Sequence, residues 1–478
     1  MISRRTFLKR AGIVAGVSII AGSSYRHFSN LQKRDFKPQG RQTYLNGIQP
    51  LKKNEKAPNI LLICLDDLGI GDLSIYAESP IDTPNIDQLA REGTCFTEFY
   101  SCAPLCSPSR AGLLTGRYPA RTLIPMPLNH AGSPMDLIFN LGGVYSYGVR
   151  GIPEDEILLS EVLKARGYRT ALIGKWHLGD RSPSLPNERG FDFFFGAYYS
   201  NDDSPYAIYR NDQVAIEAPA DQNTLTQRLT QEALQFLEGD HEKPFFIYYA
   251  QPFPHIPLHA SEDFRGKSQA GLYGDVVEEI DWSIGKILEK IKQYGLDDNT
   301  LVIFTSDNGP WWQGSTEGLR GRKNHIFEGS FRVPLILRYP GIVPSGIELQ
   351  ALSMNIDLFP TCLAFAGIDI PDDRIIDGVN LVPFLNDKNA LGHETLYFYK
   401  GDTLLAIRKG DWKYVRRHMT DNGGYASLRQ GPFLFNLEKD PYESFSQIES
   451  HPQIAQELLK QMQIWDNTMT SNLRGWLE

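Results

Sequence analysis

The residue types that could do chemistry lie in short polar strings far apart in the chain. They are Asp66-Asp67, Cys106-Ser107-Pro108-Ser109-Arg110, Lys175-Trp176-His177, His255, Asp307-Asn308 and Lys323. Pro108 stiffens the turn that carries Cys106, and a short apolar helix is expected to follow through Ala111-Gly112-Leu113-Leu114 to Thr115-Gly116-Arg117. Ser109 and Arg110 fall in its first turn, where free N–H groups and the positive end of the helix dipole favour an anion. The forked guanidinium of Arg110 suits a tetrahedral oxyanion such as sulfate or phosphate. Asp66, Asp67, Asp307 and Asn308 make an all-oxygen donor set, which fits Ca²⁺ or Mg²⁺ and not Zn²⁺. Three carboxylates around one dication leave a negative site, so Arg110, Lys175 and Lys323 are the cations an anionic substrate would need.

Each string also has a plainer reading. A lone cysteine is more often a buried packing group. A carboxylate pair after a strand is commonly a helix cap with a solvated neighbour. What weighs against these is the company the strings keep. Asn59 to Leu65 is a continuous apolar run, the pattern of a parallel strand buried on both faces, and it ends at Asp66-Asp67. Thr170 to Ile173 precedes Lys175 and His177, Phe245 to Tyr249 precedes His255, and Leu301 to Phe304 precedes Asp307. Adjacent carboxylates at the end of a buried strand are costly unless a cation neutralises them. Ligand crevices of open parallel sheets lie at the carboxyl ends of strands, so these residues are expected to converge. Lys323 alone follows no strand, and Val333 to Leu337 is a further one.

The string Cys-x-Pro-Ser-Arg followed by Thr-Gly-Arg resembles the signature of the type I sulfatases. Tyr100 to Arg117 is most similar to the arylsulfatase and N-acetylgalactosamine-6-sulfatase branch, and the likeness runs from about Pro58 to the C-terminus. It implies an alkaline-phosphatase-like α/β fold: a mixed, mostly parallel central sheet flanked by helices, with a smaller C-terminal antiparallel-sheet subdomain. It also implies that Cys106 is converted to Cα-formylglycine by a maturase, and that Asp66, Asp67, Cys106, Asp307 and Asn308 surround Ca²⁺, with Mg²⁺ as the alternative. In the scheme it implies, one hydroxyl of the aldehyde hydrate attacks sulfur, assisted by the metal and Asp307. Lys175 and Lys323 stabilise the sulfuryl oxygens. His255, with Lys323, releases the alcohol, and His177 takes a proton from the second hydroxyl to expel sulfate. Arg110 orients the hydrate and the metal ligands. Two displacements replace one difficult one.

Length and composition set the outer bounds. The 478 residues suffice for one large domain and a smaller one. The divisions expected are 1–24 as a signal peptide, 25–57 as a linker or surface strap, 58–390 as the catalytic domain and 391–478 as the C-terminal subdomain. Ser3-Arg4-Arg5-Thr6-Phe7-Leu8-Lys9 before a short apolar run is similar to a twin-arginine export signal. Export to the periplasm or beyond by that machinery is therefore expected, with an uncleaved anchor as the alternative. Five cysteines, Cys64, Cys95, Cys102, Cys106 and Cys362, are no disulfide framework, and Cys102 is read as packing. A net charge of −9 argues against nucleic acid as a partner.

The substrate implied is a sulfated carbohydrate or an aryl sulfate. A phosphonate monoester or phosphodiester hydrolase is the nearest rival, because related enzymes share the aldehyde and the metal set. A silent sulfated-glycan-binding homologue is the rival from another class. Residues 121–150, 198–215 and 311–322 have the irregular composition of specificity loops. Tyr198, Tyr199, Asn201, Asp202, Trp311 and Trp312 are types that stack on and hydrogen-bond sugars, and are equally ordinary as loop packing. His130 is the other residue there that could reach a substrate, though a lone loop histidine is commonly incidental.

Overall fold

The computed structural model describes residues 36–477 except 54, 134–135, 138–148, 388, 390, 417 and 420–428. The leader reading of 1–24 lies outside the described residues. Ten strands form one sheet: β1 (Asn59–Leu65), β2 (Thr94–Phe96), β4 (Arg169–Lys175), β5 (Phe193–Ala197), β6 (Ile208–Arg210), β7 (Gln213–Ile216), β8 (Phe245–Ala250), β9 (Thr300–Ser306), β10 (Leu335–Arg338) and β11 (Ile347–Leu349). A short β3 (Phe99–Tyr100) pairs with β12 (Ser353–Met354) outside it. The order in the large sheet is β11-β2-β10-β9-β1-β8-β4-β5-β6-β7. The centre is parallel, while β10 runs antiparallel to both β9 and β2, and β6 and β7 form an antiparallel edge hairpin.

The apolar run of β1 does what period-2 geometry requires of a strand covered on both sides. Ile60, Leu62 and Cys64 join one buried cluster and Leu61, Ile63 and Leu65 another. The helix Gly271–Gln293 lays Val276, Val277, Ile280, Ile284, Ile287 and Ile291 on the second face. The helix Cys106–Thr115 lies on the first, contributing Ala111, Leu113 and Leu114. Full burial of each Leu or Ile contributes about 1.5–3 kcal/mol.

A smaller antiparallel sheet follows in the chain: β13 (Thr395–Lys400), β14 (Thr403–Lys409), β15 (Trp412–Val415) and β16 (Phe433–Asn436), in that spatial order. The helix Pro452–Ser471 packs on it through Ala455, Leu458, Met462 and Met469. Phe398 of this sheet meets Tyr100 and Phe331 edge-on, which ties it to the main body. No described helix is long and apolar enough to cross a membrane.

One local expectation differs. The stretch read as an irregular strap contains a ten-residue helix, Pro38–Gly47, with no buried residue. It is held to the surface by Arg41 on Glu161 and by the Lys37 N–H on Asp155.

Candidate active site

Register brings the polar strings together. β1 pairs with β8 and β9 in parallel, Leu65 standing opposite Ser306 and Cys64 opposite Ala250, while Gly174 of β4 stands opposite the same Ala250. Four strands thus end at one level, and Asp66-Asp67, Asp307-Asn308, Lys175-Trp176-His177 and the His255 turn leave from their ends. The Asp307 N–H donates to Leu65 O at 3.0 Å and the Asp66 N–H to Phe253 O at 3.2 Å, closing the rim. Gly174 has φ +117, and a Cβ there would collide with the Ala250 backbone, so only glycine lets β4 and β8 approach here. Asp67 and His177 both take left-handed φ, 66° and 61°. Such conformations in residues other than glycine mark positions that the surrounding structure over-determines.

Cys106 is the first residue of a helix whose ten residues are all buried, ending on left-handed Gly116. Its Sγ donates to Asp66 Oδ1 at 3.1 Å. The other Asp66 oxygen is paired with Lys175 Nζ, and Arg110 Nη2 lies 3.8 Å away. Asp67 accepts from Asn308 Nδ2 at 2.7 Å and Lys323 Nζ at 2.9 Å, with His255 Nε2 at 3.7 Å. Asp307 accepts from the Asp67 N–H at 3.2 Å and Arg110 Nε at 2.9 Å. The donor atoms of Asp66, Asp67, Cys106 and His255 lie within 4.8 Å of one another. That group includes His255, which was not expected as a ligand, and omits Asp307, whose two oxygens face the Asp67 N–H and Arg110.

The charges act strongly on one another at this depth. Against the cost of burial, Lys175, His255, Arg110 and Lys323 hold the Asp66 carboxyl well below its usual range. Burial, then the Asp66 charge, pushes Asp307 up to about 7. Burial and then Asp66 raise the Cys106 thiol well above its usual value. Burial, with Lys175 next, keeps His177 well below the ordinary imidazole range; burial and Lys323 lower His255.

All the expected site residues are brought together, but Ser109 and Arg110 differ in what they face. The Ser109 hydroxyl goes to the Asp307 carbonyl and takes Asn355 Nδ2 at 2.7 Å, so it points into the protein. Arg110 is fully buried, holding Asp307 and the Lys175 carbonyl (3.1 Å). It holds the carboxylates in place and is not a cation open to solvent. Cys102 faces the carbonyls of Pro108 and Ser109 at 3.9 Å and, like the other four cysteines, is unbridged. His259 meets Asn223, away from the cluster.

Three further residues support the site, of which Asn201 was expected only as a possible sugar contact. Ser200 Oγ lies 3.2 Å from Lys175 Nζ, and Asn201 Oδ1 lies 3.0 Å from His255 Nδ1. Both follow the run Phe193–Ala197, an apolar strand ending in polar residues like the others; that signal was there to be read. Leu128 holds the ring of His177, its carbonyl 3.0 Å from Nε2, while its own N–H donates to Ser107 Oγ. Nothing in the local sequence of residues 121–150 points to that contact.

The family described as Sulfatase matches residues 58–368, and the C-terminal family described as N-sulphoglucosamine sulphohydrolase matches 321–467. Human N-acetylgalactosamine-6-sulfatase is 39% identical over 436 residues, covering 81% of each chain. A solved Bacteroides thetaiotaomicron sulfatase, described in connection with the metabolism of multiple glycosaminoglycans, superimposes with a TM-score of 0.76 at 27% identity, over 86% of this chain and all of its own. The phosphonate monoester hydrolase of Agrobacterium radiobacter shares the fold alone, at TM-score 0.60 and 21% identity over 86% of this chain and 96% of its own. A Sulfatase match over residues 58–368, together with 39% identity across four-fifths of a curated sulfatase, shows that the chain belongs to the sulfatase family and is a sulfuric-ester hydrolase.

Proposed function

We propose that the chain removes sulfate from a sulfated carbohydrate, with Cys106 in its formylglycine form and a calcium or magnesium ion held by Asp66, Asp67, Asp307 and Asn308. One relation carries this reading: Cys106 Sγ stands 3.1 Å from Asp66 Oδ1, while Lys175 takes the other Asp66 oxygen and Lys323 and His255 face Asp67. The donor set fits a hard dication. Its carboxylates are buried, and Asn308 Oδ1 is a buried oxygen without a hydrogen-bond partner among the described residues. Bound there, the ion supplies Lewis-acid polarisation of sulfuryl oxygens, and the hydrated aldehyde supplies a hydroxyl nucleophile.

The chain's own groups do the rest. Lys175 and Lys323 place two fixed cations where negative charge develops, in a site from which water is largely excluded. His255, oriented through Nδ1, would give a proton from Nε2 of its protonated ring to the departing alcohol. His177 directs Nε2 at the Leu128 carbonyl, and its buried Nδ1, with no hydrogen-bond partner among the described residues, is placed to accept a proton. Arg110 fixes Asp307 against the β4 terminus. The names of the relatives support a carbohydrate sulfate as substrate. The leader residues support export by the twin-arginine machinery after a maturase has acted on Cys106.

The test is sulfate release, followed by ion chromatography, from 4-nitrophenyl sulfate and a panel of sulfated sugars. Protein made with a maturase is compared with Cys106→Ala. Release that disappears in the variant is the expected result. Retained turnover in Cys106→Ala would sink the scheme, and faster cleavage of a 4-nitrophenyl phosphodiester than of the sulfate would transfer the chain to the rival activity.

A further inference from the structure

The loop between Pro310 and Lys323 joins two parts of the site. It leaves two residues after Asn308, and the Lys323 N–H closes it on Pro310 O at 2.9 Å. Its inner side is fastened to a buried carboxylate. Ser315 N–H donates to Asp72 Oδ1 at 2.7 Å, and Tyr273 OH to Asp72 Oδ2 at 2.6 Å. Gly314 approaches Tyr273 and Asp72 too closely to admit a Cβ. Arg322, next to Lys323, donates from Nη1 to the carbonyls of Trp311 (2.8 Å) and Gly314 (2.6 Å).

On this anchored loop Trp312 is left 64% exposed. The Arg322 guanidinium carbon lies 5.3 Å from the centre of its ring, and Trp311 meets it edge-on at 6.4 Å. A large aromatic ring kept in water, yet fixed by a cation and a second ring, is a preorganised flat surface. Lys323, one residue beyond Arg322, reaches Asp67 at the sulfate end of the site.

We propose that Trp312, backed by Arg322, is a stacking platform for the sugar unit adjoining the sulfated one, so that the enzyme prefers an oligosaccharide to a free sulfated monosaccharide. The proposal rests on the carbohydrate-sulfatase reading above. A pyranose ring presents an apolar C–H face that an indole covers without rearrangement. The loop that carries the platform also carries Lys323, so the two contacts are held in fixed relation.

The experiment uses a chondroitin 6-sulfate tetrasaccharide and N-acetylgalactosamine 6-sulfate as probes. The ratio of their kcat/KM values is compared in the native enzyme, Trp312→Ala and Trp312→Phe. Loss of one aromatic stacking contact is expected to lower the ratio about tenfold in Trp312→Ala, with Trp312→Phe retaining most of it. Calorimetric titration of both probes into Cys106→Ala, and into the same protein with Trp312→Ala, reads binding without turnover. There the tetrasaccharide is expected to bind more tightly than the monosaccharide, and Trp312→Ala to abolish that difference. An unchanged ratio, or equal affinity of Cys106→Ala for the two probes, overturns the platform. Preferential tetrasaccharide binding that needs Trp312, without sulfate release by the native enzyme, would leave the platform standing and remove the sulfatase reading of the substrate.

Discussion

His255 directs Nδ1 at two carbonyl oxygens, Asn201 Oδ1 at 3.0 Å and Ile256 O at 2.6 Å, while Nε2 faces Asp67 Oδ2 at 3.7 Å. Two acceptors on one ring nitrogen assign the proton to Nδ1 and leave Nε2 as the nitrogen that exchanges one. Asn201 is itself locked, its Nδ2 donating to Pro257 O at 3.0 Å and Gln222 Oε1 at 3.1 Å.

Asn201→Ala is therefore expected to lower kcat on an aryl sulfate by about 10–100-fold, the usual effect of removing an orienting partner. KM should move less, because Asn201 meets the histidine. Asn201→Asp keeps an acceptor and should retain more activity than alanine. Steady-state kinetics of the three proteins decide it; kcat unchanged in Asn201→Ala would exclude the orienting role.

Divalent-cation removal provides a second test, with a readout independent of turnover. Burial and Asp66 push Asp307 up to about 7, and a dication would relieve that repulsion. Dialysis against a chelator should lower the melting temperature. Calcium restored at a hundred times its Kd should return about 2.7 kcal/mol. In Asn308→Ala, which removes that buried Oδ1, the calcium-dependent rise should shrink. Melting curves indifferent to chelator and calcium would contradict the ligand assignment.

Much of this site was readable because its strands are buried on both faces, which writes an unbroken apolar run ending in polar residues, as in Asn59 to Asp67. The same rule would have found Phe193–Ala197 and, through it, Ser200 and Asn201. Other features leave no such mark. The edge strand Gln213–Ile216 is largely exposed and the helix Pro38–Gly47 has no fully buried residue, so neither shows a clear hydrophobic period. Ser109 and Arg110 sit where an anion site is plausible from the helix alone. Only the packing of that helix under the Asp307 turn shows that both face inward.

A pH-dependent stability term lies away from the site, at His393. Its Nε2 is 2.7 Å from Asp357 Oδ1, and Asp357 also accepts the Met354 and Val379 N–H groups. Burial works against the charged imidazole, but the Asp357 carboxylate, helped by Asp377, outweighs it and raises the pKa. A raised folded-state pKa gives stability that is complete below the unfolded value of about 6.5 and is lost as pH rises through the folded value. A hydrogen bond to a charged partner is worth about 1.5–3 kcal/mol. His393→Gln should thus cost most near pH 5.5, and the gap from the native protein should narrow as pH rises past the unfolded value of about 6.5. A gap constant across that range would refute the linkage.

Lys413, on β15, is fully buried between Glu328 Oε1 at 2.9 Å and Glu443 Oε1 at 3.0 Å, and joins the small sheet to the segment that follows Lys323. Burial opposes ionisation of both acids. Lys413, with Arg332 and Arg408, nevertheless holds Glu328 down to about 2. Burial raises Glu443 to about 7, the nearby Glu328 charge adding to it against Lys413. Removing the shared cation leaves Glu328 ionised with only the two arginines, and Glu443 without its ion-pair partner. Lys413→Met is expected to cost about 3–5 kcal/mol, the range for breaking one side of a buried ion pair. Adding Glu443→Gln removes one of the stranded acids and should recover part of that loss. Denaturant unfolding of the single and double variants checks both signs. If the double variant is no more stable than Lys413→Met, the loss comes from packing of the lysine stem and not from its charge.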